Sequence, residues 1–164
     1  MKTKSILIIS ILLILVSSFS AYSQIVNFSG EWILNKEKTV LADNQLFLSK
    51  ITIQVKGDSL LTNRLYENSA GEEYPFDENL SPDGKESKIS IYEMPRTSKA
   101  TKVDGDGTII IESKTIFNGQ NGEDTLEAKE TWKVDNTGNV LTLVFNNKMS
   151  GTETPGTNYY DKVK

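Results

Sequence analysis

In residues 125–134, TLEAKETWKV, polar and apolar side chains alternate, and Glu130 falls on the same side as Leu126, Ala128, Trp132 and Val134. An ionised carboxylate buried without compensation is strongly disfavoured, so this position demands a partner or an exit. Three arrangements meet the demand. Glu130 points into a wet cavity and holds a ligand, or it forms an internal ion pair with Arg64, Lys99 or Lys148, or a bulge near Ala128 turns it outward. Its parity with Leu126 and Trp132 favours the inward face. Two amides invite the same question: Asn147 is in step with Phe145 and Met149, and Asn63 with Leu61 and Leu65. Apolar walls with a few placed polar groups are the make-up of a small-molecule site, whereas amides near strand ends reach solvent. Trp132 is read as core or as a ligand platform. The candidate ligand-contacting set is therefore Glu130, Trp132, Arg64, Asn147 and Phe145.

The 164 residues include no histidine and no cysteine. That excludes disulfide scaffolding, cysteine nucleophiles, Ser-His-Asp triads and ordinary zinc sites together. A glycosidase-type pair needs two carboxyls roughly 5–9 Å apart, and Glu93, in step with Ile89 and Ile91, is the one partner in view for Glu130. The chain is read as a non-enzyme. The turn at 104–107 offers two carboxylates, Asp104 and Asp106, where calcium requires about six oxygen ligands. Residues 118–124 do no better, so neither a metal nor a cofactor is expected. With a net charge of −4 and only two arginines, Arg64 and Arg96, in no basic run, the chain is a poor match for nucleic-acid phosphates.

The elements that must hold these residues read as strands almost throughout. Period-two alternation recurs in short segments separated by Gly, Asn and Asp clusters. Phe28, Gly30, Trp32 and Leu34 share a face of the first strand, and Ser49, Ile51, Ile53 and Val55 a face of the second. A tight turn at 56–59 leads to a third strand at 60–67 whose register is ambiguous, because leucines occupy both parities. Further strands are expected at 74–80, 88–94, 97–103, 108–117, 125–134, 140–149 and 157–163, with Pro95 marking an edge, bend or strand end. About ten short strands with hairpin turns and no convincing helix predict an all-β fold. The expected form is an antiparallel up-and-down meander closing into a barrel of about eight to ten strands, since closure removes exposed edges. The irregular segment 36–46, with Val40 and Leu41 among charges, is placed over one barrel end.

Residues 1–23 read as a leader rather than as part of the fold. Lys2 and Lys4 precede an apolar run at 6–16, and Ala21-Tyr22-Ser23 places small residues where a signal peptidase reads them. The run is shorter than the roughly 20 residues of a membrane span. A signal peptide cleaved before Gln24 is expected. It leaves a single domain at 24–164, exported to the periplasm or beyond, with no membrane span.

At 28–35, FSGEWILN, the chain resembles the lipocalins and related calycin barrels, in which a Gly-x-Trp motif opens the first strand. Here the motif is Gly30-Glu31-Trp32. The runs GEWILNKEKT, RTSKATKVDGDGTIIIES, KETWKVDNTGNVLTLVF and NYYDKV, in that order, are similar to those of small secreted bacterial lipocalin-like proteins. The resemblance implies that Gly30 lets the chain enter the strand and that Trp32 closes one barrel end. Lipocalins set an arginine from a late strand over that tryptophan. No arginine follows Arg96 here, so Lys148 or Lys162 is the substitute by cation–π contact. The resemblance also implies binding of a small apolar or amphipathic molecule inside the barrel. Leu126, Trp132, Leu141, Leu143 and Phe145 would desolvate it, and Glu130, with Arg64 or Asn147, would orient its polar head. The rival expectation is a solid barrel whose outside, near Val40-Leu41 or Tyr159-Tyr160, serves a protein partner as an interaction or inhibitory module.

Overall fold

The computed structural model describes residues 28–41, 46–103, 105, 107–119 and 122–164. The expected leader and the residues Asp104 and Asp106 lie outside them. In chain order the strands are β1 (Gly30–Leu34), β2 (Phe47–Lys56), β3 (Ser59–Glu67), β4 (Glu73–Leu80) and β5 (Asp83–Ile91). They continue as β6 (Met94–Lys102), β7 (Ile109–Gly119), β8 (Gly122–Val134), β9 (Val140–Met149) and β10 (Thr152–Lys162). No helix occurs among the described residues, and so none that is long and apolar enough to cross a membrane. Every pairing is antiparallel, in the order β4-β3-β2-β1-β10-β9-β8-β7-β6-β5. This is the all-β meander the alternation predicts, a nearly closed ten-stranded barrel. Every pair of chain neighbours except β4 and β5 is joined by a ladder, and β1 closes on β10.

Inward side chains follow from parity once two irregularities are placed. In β2 the register shifts between Leu48 and Lys50, so that Leu48 and the Ile51–Ile53–Val55 series both face the core. The bulge is held by Ser49, whose hydroxyl donates to the Leu65 carbonyl at 3.1 Å. In β3 the ambiguity resolves with Leu60, Thr62, Arg64 and Tyr66 inward. Asn63 shares the outward face with Leu61 and Leu65 and donates to Asp77 at 2.8 Å, the solvent-reaching alternative for this amide. Glu93 is a correction. The strand ends at Ile91, and Tyr92 and Glu93 form the two-residue turn into β6, both at positive φ (48° and 69°) and both exposed. The two-residue turn pairs Ile91 with Met94 and Ile89 with Arg96, so the inward parity changes from odd to even across it, which is why Glu93 is in step with Ile89 and Ile91 without sharing their face.

One barrel end is filled. Trp32, Ile51, Ile53, Leu60, Leu80 and Ile109 are fully or almost fully buried there, and the Trp32 indole donates to the Phe28 carbonyl at 2.8 Å. Lys162 reaches back along β10 to set its Nζ 5.0 Å from the centre of the Trp32 ring. Its aliphatic stem crosses Gly30, where a Cβ would lie 2.5 Å from Lys162 Cε, and Gly30 itself sits at φ +140°. Glycine two residues before the tryptophan thus has a steric cause: the stem of the capping lysine occupies the place of a side chain.

The other end is built differently because β1 has only five residues. β10 runs past it, so its first half has β9 as a neighbour on one side alone. Pro155, which cannot donate to a ladder, sits on that free edge. The segment after β1 fills the opening: Asn35 N–H donates to the Tyr159 carbonyl at 2.7 Å, and Tyr159 N–H donates to the Thr39 hydroxyl at 3.1 Å. Val40, Leu41 and Leu46 are brought over this end, as expected for the irregular segment.

Candidate functional site

Glu130 faces inward. Pairing of β8 runs without a shift with β7 from Leu126 to Trp132 and with β9 from Leu126 to Val134, so no bulge turns it out. Its partner is Arg64 on β3, across the barrel: one guanidinium nitrogen, Nη1, donates to Oε1 at 2.8 Å and to Oε2 at 2.9 Å. Trp132, two residues along the same strand, donates its indole N–H to Oε2 at 2.8 Å. Of the three arrangements open to Glu130, the ion pair with Arg64 is present, and the residue also lines a cavity.

The pair belongs to a larger layer. Arg64 Nη2 lies 3.4 Å from Oε2 of Glu78 on β4. Arg96 on β6 donates from Nε to Glu78 Oε1 at 3.1 Å and from Nη1 to the Thr115 hydroxyl at 3.3 Å, while the Ser98 hydroxyl donates to Glu78 Oε1. Both arginines of the chain are inside the barrel, each facing a glutamate, so the four charges sum to zero. The guanidinium carbon of Arg64 also lies 4.9 Å from the Trp132 ring centre and 5.8 Å from that of Phe76, aromatic faces that suit a weakly hydrated, planar cation. Glu78 and Arg96 bridge β4 to β6 where no backbone ladder joins β4 to β5.

Burial alone disfavours the charged form of Arg64, but Glu130 beside it, with Tyr66 and Glu78, reverses this and holds its pKa above the ordinary arginine value. Burial likewise pulls Glu78 upward, and Arg64 and Arg96, with the Ser98 hydrogen bond, outweigh it and hold the carboxyl below its ordinary value. The Tyr66 hydroxyl is pushed up by burial and by the Glu130 charge, and the Tyr160 hydroxyl chiefly by burial.

On the side of this layer away from the packed end lies a half-open cavity of about 100 Å³. Leu48, Leu143, Phe145 and Phe47 give it apolar walls, and Val40, Leu41 and Leu46 form its rim. Tyr66, Asn147, Asn158 and Glu130 are its polar lining among the described residues, and Glu130 is the only charged one of these. Phe145 keeps its place because its ring lies across Gly156, its cross-strand partner, where a Cβ would come within 2.3 Å of it.

Of the residues singled out from sequence, Glu130, Asn147 and Phe145 therefore meet at one cavity. Arg64 is wholly buried and touches it only through Glu130. Trp132 is also wholly buried; it and Leu141 belong to the packed core, and Leu126 does not line the cavity. Tyr66, Asn158 and the Glu78–Arg96 pair went unnoticed. Glu78 carries the same signature as Glu130, a carboxylate in step with Tyr74, Phe76 and Leu80. Among the described residues no cluster of acidic side chains is arranged to hold a metal ion.

The chain matches none of the models of known protein families, and no curated protein matches it.

Proposed function

We propose that this chain is an exported, lipocalin-like binding protein that takes a small apolar or amphipathic molecule into the open end of its barrel. The observation that carries this reading is a cavity with apolar walls, one compensated carboxylate and two amides, rimmed by exposed aliphatic side chains. Val40 is 95% exposed and Leu46 54%. At about 100 Å³ the cavity is smaller than the roughly 300–1,000 Å³ of drug-sized sites. It is closer to the cavity of about 150 Å³ that holds one benzene. The ligand is accordingly a small molecule, or a larger one that inserts one end and rests the remainder on Val40 and Leu46. Export rests on the leader at 1–23. A binder rather than an enzyme is supported by the pairing with arginine of the two carboxylates that face inward among the described residues.

The rival reading is an interaction module with a solid barrel, supported by the packed end and by the exposed rim acting as a protein contact. Native mass spectrometry of the exported protein separates the two, and its intact mass also reports whether cleavage precedes Gln24. Gly156→Ala is the matched variant, since the added methyl drives the Phe145 ring toward the cavity. A non-covalent adduct on the native protein that is lost from Gly156→Ala supports the carrier. No adduct, together with an unchanged melting temperature across a broad panel of lipids and small molecules, favours the interaction module.

A further inference from the structure

We infer that the cavity selects its ligand by an uncharged, hydrogen-bond-donating head, a hydroxyl above all, and excludes carboxylates. The inference rests on the binding reading above and names the ligand class of that site. A carboxylate accepts at about four lone-pair positions. On Glu130 three are engaged: one on Oε1 by Arg64, and two on Oε2 by Arg64 and Trp132. Oε1 therefore retains an acceptor position, and Glu130 lines the cavity. A ligand hydroxyl or amide N–H supplies the matching donor.

Charge excludes the alternatives. An anionic head entering the cavity meets Glu130 and no lining cation among the described residues. Both arginines lie behind the acids, already matched by Glu78 and Glu130, and so offer a newcomer no net attraction. An exposed cation stands at the mouth: Lys36, whose Nζ lies 5.2 Å from the centre of the Phe47 ring. It could hold a carboxylate only with the head pointing out. A cationic head fares little better than a neutral one, because Arg64 already neutralises Glu130 and the newcomer must shed its own water. Asn147 and Asn158 complete the site for a neutral head, since each amide both donates and accepts.

The test uses three six-carbon probes of matched chain, 1-hexanol, hexanoate and hexylammonium, titrated at neutral pH into the exported protein labelled for amide NMR. The expected result is that 1-hexanol shifts the side-chain amides of Asn147 and Asn158 and binds at least about tenfold more tightly than hexanoate or hexylammonium. In Glu130→Gln, shown folded by circular dichroism, the carboxyl is replaced by a neutral acceptor and the discrimination against hexanoate shrinks. Hexanoate or hexylammonium binding as tightly as 1-hexanol overturns the inference while leaving a binding protein. Undiminished discrimination in a folded Glu130→Gln also overturns it. If none of the three binds, the carrier reading fails and the inference with it.

Discussion

Arg64 and Glu130 show how a charge is kept inside a small barrel. The carboxylate takes three hydrogen bonds, and the guanidinium, whose Nε and Nη2 make none, lies against aromatic faces. Such a pair is weak evidence of stabilisation relative to an apolar replacement, but removing one member alone is costly. Arg64→Met is expected to lower unfolding stability by about 3–5 kcal/mol, because Glu130 loses its counter-ion in the interior. The double variant Arg64→Met/Glu130→Leu is expected to recover part of that loss, leaving the Trp132 N–H without an acceptor at about 1–3 kcal/mol. Urea denaturation of the two single variants and the double closes the cycle; a double variant no more stable than Arg64→Met would mean the pair does not act as a unit. Glu130 was legible in the sequence because it interrupts one long, regular alternation. Its partner was legible only as one of three cations, since parity says which way a side chain points and nothing about what meets it across the barrel. Glu78 was hidden by Pro75 and by the acids Glu73 and Asp77 on the opposite parity of a short strand. Asn63 kept two readings open because leucines at 60, 61 and 65 give β3 no clean period.

The strands themselves were easier to read than their ends, and the β5–β6 hairpin shows why. Its turn, Tyr92-Glu93, lacks the Asn-Gly or Gly-Gly pair that normally marks a two-residue hairpin, so the alternation reads on to Met94. Both residues nonetheless adopt positive φ, a conformation disfavoured by roughly 1–2 kcal/mol for residues other than glycine. The compensation lies in Tyr92, whose hydroxyl donates to the Pro75 carbonyl on β4 at 2.8 Å and whose ring meets Tyr74 edge-on. The strained turn thus ties β5 to β4 across the one place where no ladder closes the barrel. Glu93→Gly keeps that tie and relieves the backbone, and is expected to raise stability by about 0.5–1 kcal/mol in thermal or urea unfolding. Tyr92→Phe keeps the ring and removes the tie. It is expected to lower stability by about 0.5–1.5 kcal/mol and to speed amide exchange in β4 and β5 more than elsewhere. Uniform exchange across the barrel in Tyr92→Phe would mean the seam is held by Glu78 and Arg96 alone. On the outer face, opposite charges face each other strand after strand: Glu86, Lys99, Glu112 and Lys129 in one row, and Lys114, Glu127, Lys148 and Glu153 in the next. A slip of two residues would oppose like charges, so these rows defend the register that places Glu130 inside.

Taken together, the barrel has a packed end, a neutral layer of four charges and an open end, and the middle layer joins β3, β4, β6 and β8 across the interior. Acid should therefore loosen the whole barrel rather than one strand. The folded state holds Glu78 below its ordinary value: burial alone would raise it, and Arg64 and Arg96 outweigh burial. The unfolded chain titrates this carboxyl near about 4.3. Between the depressed folded value and the unfolded one, the unfolded chain binds more protons, so stability there rises with pH. The contribution of Glu78 is complete above about 4.3 and is lost as pH falls through the folded value. Exposed acids with lowered values add to the slope, among them Asp83, held down by the Lys85 hydrogen bond. Glu78→Gln isolates the interior share. Its stability at neutral pH is expected to be lower, because two buried arginines then face one carboxylate, and its further loss on acidification shallower than that of the native chain. Glu112→Gln, on the exposed outer row, is expected to keep the native slope. Urea midpoints for the three proteins measured from pH 7 to pH 3 decide the point, and a Glu78→Gln curve parallel to the native one would move the acid sensitivity out of the interior layer and onto the surface carboxylates.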